Sequence, residues 1–181
     1  MKIDHIAIAV NDVEEAAIVY QDALGVDDIE LETVESEGVK VAIKQQRHDT
    51  EAVGRIENEA RWLKVLNRKN IGPEFLMVKD DWFMYKFVEG KFIPDWLKEA
   101  NKTDIKKVFT NVFNQCFILD QKGVNKEEMH KPVKHILITK RKKVVLLDFE
   151  RCHIVDYGKN VTQFVVFLSR LKDVLPKYNI N

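Results

Sequence analysis

The chain of 181 residues has little glycine (7), little proline (4) and only two cysteines. Its longest apolar stretches, such as Ile6–Val10 and Val144–Leu147, fall far short of the ~20 residues that a membrane-spanning helix needs. No cationic start is followed by an apolar core, so no signal peptide is expected. Cys116 and Cys152 lie far apart without pair spacing, the pattern of two reduced thiols in a cytoplasmic protein. Net charge is lacking too, because 29 basic and 29 acidic side chains cancel. Internal repeats and low-complexity tracts are absent.

What is present suffices for a packed core: 45% of the residues are hydrophobic and 32% are charged. The length fits one domain or two small ones. The neutral total divides unevenly along the chain. Residues 1–43 carry eleven acids and two bases, a net of −9, and residues 44–181 carry 18 acids and 27 bases, a net of +9. Such asymmetry is a reason to look for a boundary.

The hydrophobic period gives an alternating β-strand over 2–10, then a helix opened by Asn11 and closed by Gly25. Strands follow over 29–34 and 39–45, and a helix over about 50–67 with Ile56, Ala60, Leu63 and Leu66 on one face. A hairpin is expected over 75–78 and 82–88. Pro94 fits the first turn of a short helix. A longer helix over 103–121 turns Ile105, Val108, Val112, Phe113, Cys116 and Leu119 inward, and Gly123 ends it. An irregular polar loop over 125–134 precedes short strands over 135–139 and 144–147. A final helix over 160–175 is capped by the run Lys159-Asn160-Val161-Thr162.

Three features could build one site. Val41-Ala42-Ile43-Lys44 is a strand ending in lysine. Glu59 lies in the following helix, where it could pair with Lys44, and Glu57 competes for that role. Leu147-Asp148-Phe149-Glu150 sets a carboxylate at the end of an apolar strand. Phosphoryl transfer uses these types: a lysine on the α/β-phosphates, a glutamate to position it and an aspartate to hold Mg²⁺. His130, His135 and His153 lack the ligand spacing of a zinc site. The basic run Lys140-Arg141-Lys142-Lys143 reads as a solvated hairpin turn rather than a nucleic-acid contact.

Residues 44–175, about three quarters of the chain, resemble the archaeal RIO-like, minimal serine/threonine protein kinases. The runs that carry this are Gly54-Arg55-Ile56-Glu57-Asn58-Glu59-Ala60, Asn70-Ile71-Gly72-Pro73, Asn125-Lys126-Glu127-Glu128-Met129-His130 with Lys134-His135-Ile136, Asp148-Phe149-Glu150-Arg151-Cys152, and Lys159-Asn160-Val161-Thr162-Gln163-Phe164. The resemblance implies ATP and Mg²⁺ as cofactors and a protein as substrate. Lys44 matches the phosphate-anchoring lysine and Glu59 its helix partner. Residues 82–90 match the hinge strand, so Lys86, Phe87 and Val88 are expected beside adenine. Asp148 matches the metal aspartate of D-F-G, with glutamate in place of its glycine. Where H-R-D-x-x-x-x-N is the pattern, Glu128 stands for the catalytic aspartate and His135 lies near the metal-binding asparagine.

Ahead of Lys44 the sequence offers only Gly25 and Gly38, and no glycine-rich phosphate loop. Residues 1–42 instead resemble the start of methylmalonyl-CoA epimerases of the glyoxalase (vicinal oxygen chelate) superfamily. Met1-Lys2-Ile3-Asp4-His5-Ile6-Ala7-Ile8-Ala9-Val10, Tyr20-Gln21-Asp22-Ala23-Leu24-Gly25 and Gly38-Val39-Lys40-Val41-Ala42 carry that similarity. It implies a divalent-metal role for a histidine at the place of His5.

The expected chain is therefore a chimera of class α+β. Residues 1–43 form a glyoxalase-like β-α-β-β segment that replaces the first kinase strands. Residues 44–90 complete a kinase N-lobe, and 91–181 form a reduced C-lobe. A natural fusion, an engineered crossover and an assembly error all fit. The expected function is that of an ATP-dependent kinase-like phosphotransferase, with a nucleotide-binding pseudokinase and a metal-dependent epimerase as alternatives. An epimerase-type sheet edge left unpaired would invite self-association.

Overall fold

The computed structural model describes residues 7–10, 40–45, 54–79 and 82–171. The expected helix over 11–24, the strand over 29–34, the end of the last helix and His5 lie outside them. The described chain is α+β and divides into two compact units. One gathers residues up to Glu57 together with Glu74–Phe87, and the other Asn58–Pro73 together with the chain from Val88 onward.

The first unit is built on an antiparallel sheet in the order β1-β2-β4-β3. Its strands are β1 (Ala7–Val10), β2 (Val41–Gln45), β3 (Phe75–Lys79) and β4 (Trp82–Lys86). Ala7 pairs with Lys44 and Val10 with Val41, so the segment boundary expected at 43/44 falls inside β2. Strand period assigns the two faces of β2. Val41 and Ile43 join Trp82, Met84 and Met77 in one apolar cluster. Ala42 and Lys44 lie opposite Tyr85 and Phe83, whose rings are 5.7 Å apart.

Helix α1 (Arg55–Leu66) begins at the edge of the first unit and runs into the second. It ends in a 3-10 turn at Asn67–Lys69. Gly72 follows in the left-handed region at φ +83, and a Cβ there would meet Leu63 at 2.6 Å and Phe149 at 3.1 Å. That turn therefore requires glycine.

The second unit continues with β5 (Lys91–Phe92), α2 (Ile93–Leu97), which carries Pro94 in its first turn, and α3 (Lys102–Gln121). Asn101 caps α3, its side-chain oxygen accepting from the Asp104 amide at 2.9 Å. Val108, Val112, Gln115, Cys116 and Leu119 form the buried face of α3, at helical spacing. Ile105 and Phe113, expected inward, are half-buried.

Strands β7 (Ile136–Ile138) and β8 (Val144–Leu146) are buried throughout and form a sheet with β5 in the order β5-β7-β8. Two-residue strands β6 (Val124–Asn125) and β9 (His153–Ile154) pair with each other. Helix α4 (Asn160–Ser169) packs on α3 through Phe164, whose ring meets Phe109 and Phe113 edge-on at 5.9 and 4.9 Å.

One local feature differs from the sequence expectation. No side chain of the run 159–162 caps α4. The cap comes from the end of α3: Asp120 accepts the amides of Asn160 at 2.8 Å and Val161 at 3.0 Å, and the Asn160 side-chain amide at 2.6 Å. The polar loop over 125–134 is irregular as expected, with a 3-10 turn at Glu128–His130, but parts of it are buried. Lys126 is 1% exposed and Met129 is fully buried. No helix among the described residues is long and apolar enough to cross a membrane.

Candidate active site

Pairing of β7 with β8 does the first part of the assembly. Ile136 lies opposite Leu146, and one step further Leu147 donates its amide to the His135 carbonyl at 2.9 Å. His135 and Asp148 therefore leave the same end of the hairpin together. Asp148 then turns into the left-handed region at φ +65, uncommon for a non-glycine residue and a pointer to a functional constraint.

The third group comes from the loop after β6. Asn160, fully buried in the first turn of α4, accepts the Lys126 amide on its side-chain oxygen at 2.8 Å and donates to the Val124 carbonyl at 2.6 Å. Gln163, one turn on, accepts the Met129 amide at 3.0 Å. These bonds fix the loop as it passes through Glu127, at φ +69, into the 3-10 turn Glu128–His130. Glu128 is thereby set against the hairpin end. His135 Nδ1 lies 3.3 Å from Glu128 Oε2 and 3.6 Å from Asp148 Oδ2. Burial, and then the Asp148 carboxylate, push the Glu128 carboxyl above its usual range.

The chain from Phe149 to Cys152 is held by α1. Glu59, 3% exposed, accepts the Phe149 amide at 3.1 Å. Asn58 donates to the carbonyls of Glu150 and Cys152 at 2.8 and 3.0 Å, and the Trp62 indole to that of Cys152 at 2.8 Å. Glu57 is exposed, so of the two glutamates Glu59 is the one placed at this loop. Lys126 completes it, its Nζ donating to the Asp148 carbonyl at 2.7 Å and lying 5.1 Å from the centre of the Phe149 ring.

Glu59, Glu128, His135 and Asp148 are thus brought together in the second unit. Lys44 belongs to the first, where it is 4% exposed on β2. Lys86 and Phe87 close the same unit, and their amides donate to the carbonyls of Glu74 at 2.8 Å and Lys40 at 2.9 Å. Val88 begins the chain's return to the second unit and is half-buried. Lys126, Asn160, Gln163 and Asp120 were not among the site residues expected from sequence. Lys126, Asn160 and Gln163 did fall inside runs that carry the kinase resemblance.

Two overlapping groups among the described residues have donor atoms within 4.8 Å of one another and could hold a metal: Glu128 with His135 and Asp148, and Glu59 with Asp148 and Glu150. Carboxylate oxygens suit Mg²⁺. The imidazole suits a transition metal better. Neither group includes His130 or His153, which are exposed. No protein-family model matches the chain, and no curated protein matches it.

Proposed function

We propose that the chain is an ATP-dependent serine/threonine protein-kinase-like phosphotransferase, with a two-lobe kinase-like fold, a reduced C-lobe and a glyoxalase-like segment in place of the first strands. The observation that carries this reading is the meeting of Glu128, His135 and Asp148 from two loops, with Glu59 bonded to the amide that follows Asp148.

In this reading Asp148 and His135 hold Mg²⁺, which neutralises phosphate charge when bound. Glu128 accepts the proton of a serine or threonine hydroxyl. Its raised carboxyl pKa suits a base better than an ordinary exposed carboxylate. The hydroxyl oxygen takes the γ-phosphoryl group, the bond to the β-phosphate oxygen breaks, and ADP leaves. Lys44 on the phosphates, and Lys86, Phe87 and Val88 beside adenine, take their roles from the resemblance alone.

A second reading, a pseudokinase that binds nucleotide without turnover, is favoured by one observation: the sequence has no glycine-rich loop ahead of Lys44. Calorimetry with ATP, with and without Mg²⁺, tests both. Mg²⁺-dependent binding that Asp148→Asn abolishes supports nucleotide recognition, and no binding at millimolar Mg-ATP overturns both readings. Phosphate transfer to a serine or threonine peptide then separates the first reading from the second.

A further inference from the structure

We infer that the turn between β7 and β8 and the first two turns of α3 form one surface that binds the phosphate backbone of a nucleic-acid duplex. The surface lies at the far end of the hairpin from His135 and Asp148. It does not depend on the phosphotransfer reading.

Taken alone, the run Lys140-Arg141-Lys142-Lys143 is a solvated turn. The fold sets it beside a second basic group. Lys142 Nζ donates to Asp104 Oδ2 at 2.6 Å, and Asp104 sits in the first turn of α3 among Lys102, Lys106 and Lys107. Lys142, and less strongly Lys107, hold the Asp104 carboxyl below its ordinary range, so turn and helix meet around one carboxylate. No second acid stands near enough in sequence to offset the cations. The next on α3 is Asp120, and the chain from Met129 to Leu147 has none. Lys102, Lys106, Lys140, Arg141 and Lys143 are exposed and stand in no ion pair among the described residues.

The turn is fixed as well as charged. The Thr139 carbonyl accepts the Lys142 amide at 2.8 Å, and the Thr139 hydroxyl accepts the Lys143 amide at 3.1 Å. Lys142 lies in the left-handed region at φ +62, a place in a hairpin turn that ordinarily takes glycine. Its bond to Asp104 holds that backbone and ties the turn to the helix. The cations are therefore presented on a preorganised surface rather than on a loose tail.

Composition selects the ligand. The exposed residues of 102–107 and 140–143 are cations and Thr103, with no apolar anchor among them. Protein interfaces draw their energy from aromatic and aliphatic anchors. Single strands are held by stacking on aromatic rings, and membrane-surface helices bury an apolar face. A duplex backbone needs none of these, because release of its condensed counterions rewards charge alone.

The test is fluorescence anisotropy of short labelled DNA and RNA duplexes with the full chain, repeated over a series of KCl concentrations. Duplex binding is expected, with affinity falling at least about a hundredfold between about 50 and 200 mM KCl as about five counterions are released. The two duplexes distinguish the source of the backbone, and binding of either supports the inference. Lys140→Ala/Arg141→Ala/Lys143→Ala keeps Lys142 and its bond to Asp104. It should weaken binding about tenfold or more and reduce the counterions released by about 2–3. Lys106→Glu should weaken binding too, because helix and turn act together; if the turn variant melts earlier than the wild type, Lys106→Glu decides alone. Lys64→Ala/Lys69→Ala/Lys122→Ala removes the same charge from other exposed positions and should weaken binding far less. Absence of duplex binding at about 50 mM KCl, equal losses in the two triple variants, or unaltered affinity in Lys106→Glu overturns the inference. So does tighter binding to a single strand, to polyglutamate or to vesicles of phosphatidylcholine and phosphatidylserine. ATP is absent throughout, so a failure of the kinase reading leaves these outcomes unaffected.

Discussion

Lys126 spends its ammonium group on the backbone of Asp148, donating to that carbonyl at 2.7 Å from a side chain 1% exposed. A buried ammonium is costly to desolvate, and burial is the main cause that lowers its pKa. The cost is met by the carbonyl, by the face of Phe149 and by the carboxylates of Asp148, Glu128 and Glu59. The bond also braces a residue whose left-handed backbone has no glycine to relax it.

Lys126→Met keeps most of the volume and removes the donor. Because an apolar side chain of similar size can replace a buried charge at little loss, unfolding free energy should change by no more than about 2 kcal/mol. Mg²⁺-dependent ATP binding, measured on the folded protein, should weaken at least tenfold as Asp148 loses its brace. Unchanged binding would reduce Lys126 to a packing residue.

Asp120 caps a helix that begins 40 residues later. Asp120→Ala removes three accepted hydrogen bonds at the start of α4, and about 2–4 kcal/mol of stability should be lost in urea unfolding. Gly158→Ala should destabilise as well, because its methyl would fall on the Asp120 side chain. A loss under 0.5 kcal/mol in Asp120→Ala, the scale of ordinary surface substitutions, would mean that α4 does not depend on this cap.

Cys116 and Cys152 are buried free thiols, and burial pushes both pKa values up to about 12. Neither should react with a thiol-directed disulfide reagent at pH 8 in the native protein, and both should react in guanidinium. The same shift sets a pH trend. The folded pKa lies above the ordinary value of 9.0, so the folded chain keeps protons that the unfolded chain releases. Stability from this source is complete below pH 9 and declines as pH rises toward 12. In Cys116→Ala and Cys152→Ala, whatever their stability at pH 7, the decline above pH 9 should be shallower than in the wild type.

Features written in local periodicity were legible in the sequence. The long face of α3, the β3–β4 hairpin and the pair β7–β8 follow from residue spacing and were expected within a few residues of where they lie. So was Asp148 at the end of an apolar strand. Glu59 rather than Glu57 follows from the family resemblance and not from spacing, because two positions on one helix differ only in what the helix meets. A role for Lys126 is not legible, because a polar run carries no sign of which of its side chains is buried. Its burial depends on Asn160 and on a carbonyl 22 residues away, and neither leaves a periodic trace. The α4 cap was misplaced for the same reason, since Ser, Thr, Asn or Asp is ordinarily sought just before a helix and here the carboxylate arrives from the end of another.

Asn160 joins three stretches of chain: its side-chain amide donates to Asp120 at the end of α3 and to the carbonyl of Val124, and its side-chain oxygen accepts the amide of Lys126. The loop carrying Glu128 and the first turn of α4 therefore share one buried residue, and native-state opening of the two is expected as a single event of one cooperative foldon. Solvent exchange at the amides of Lys126 and Val161 should report one common opening free energy, and the site's rigidity is set at the joint between two helices rather than among its own carboxylates.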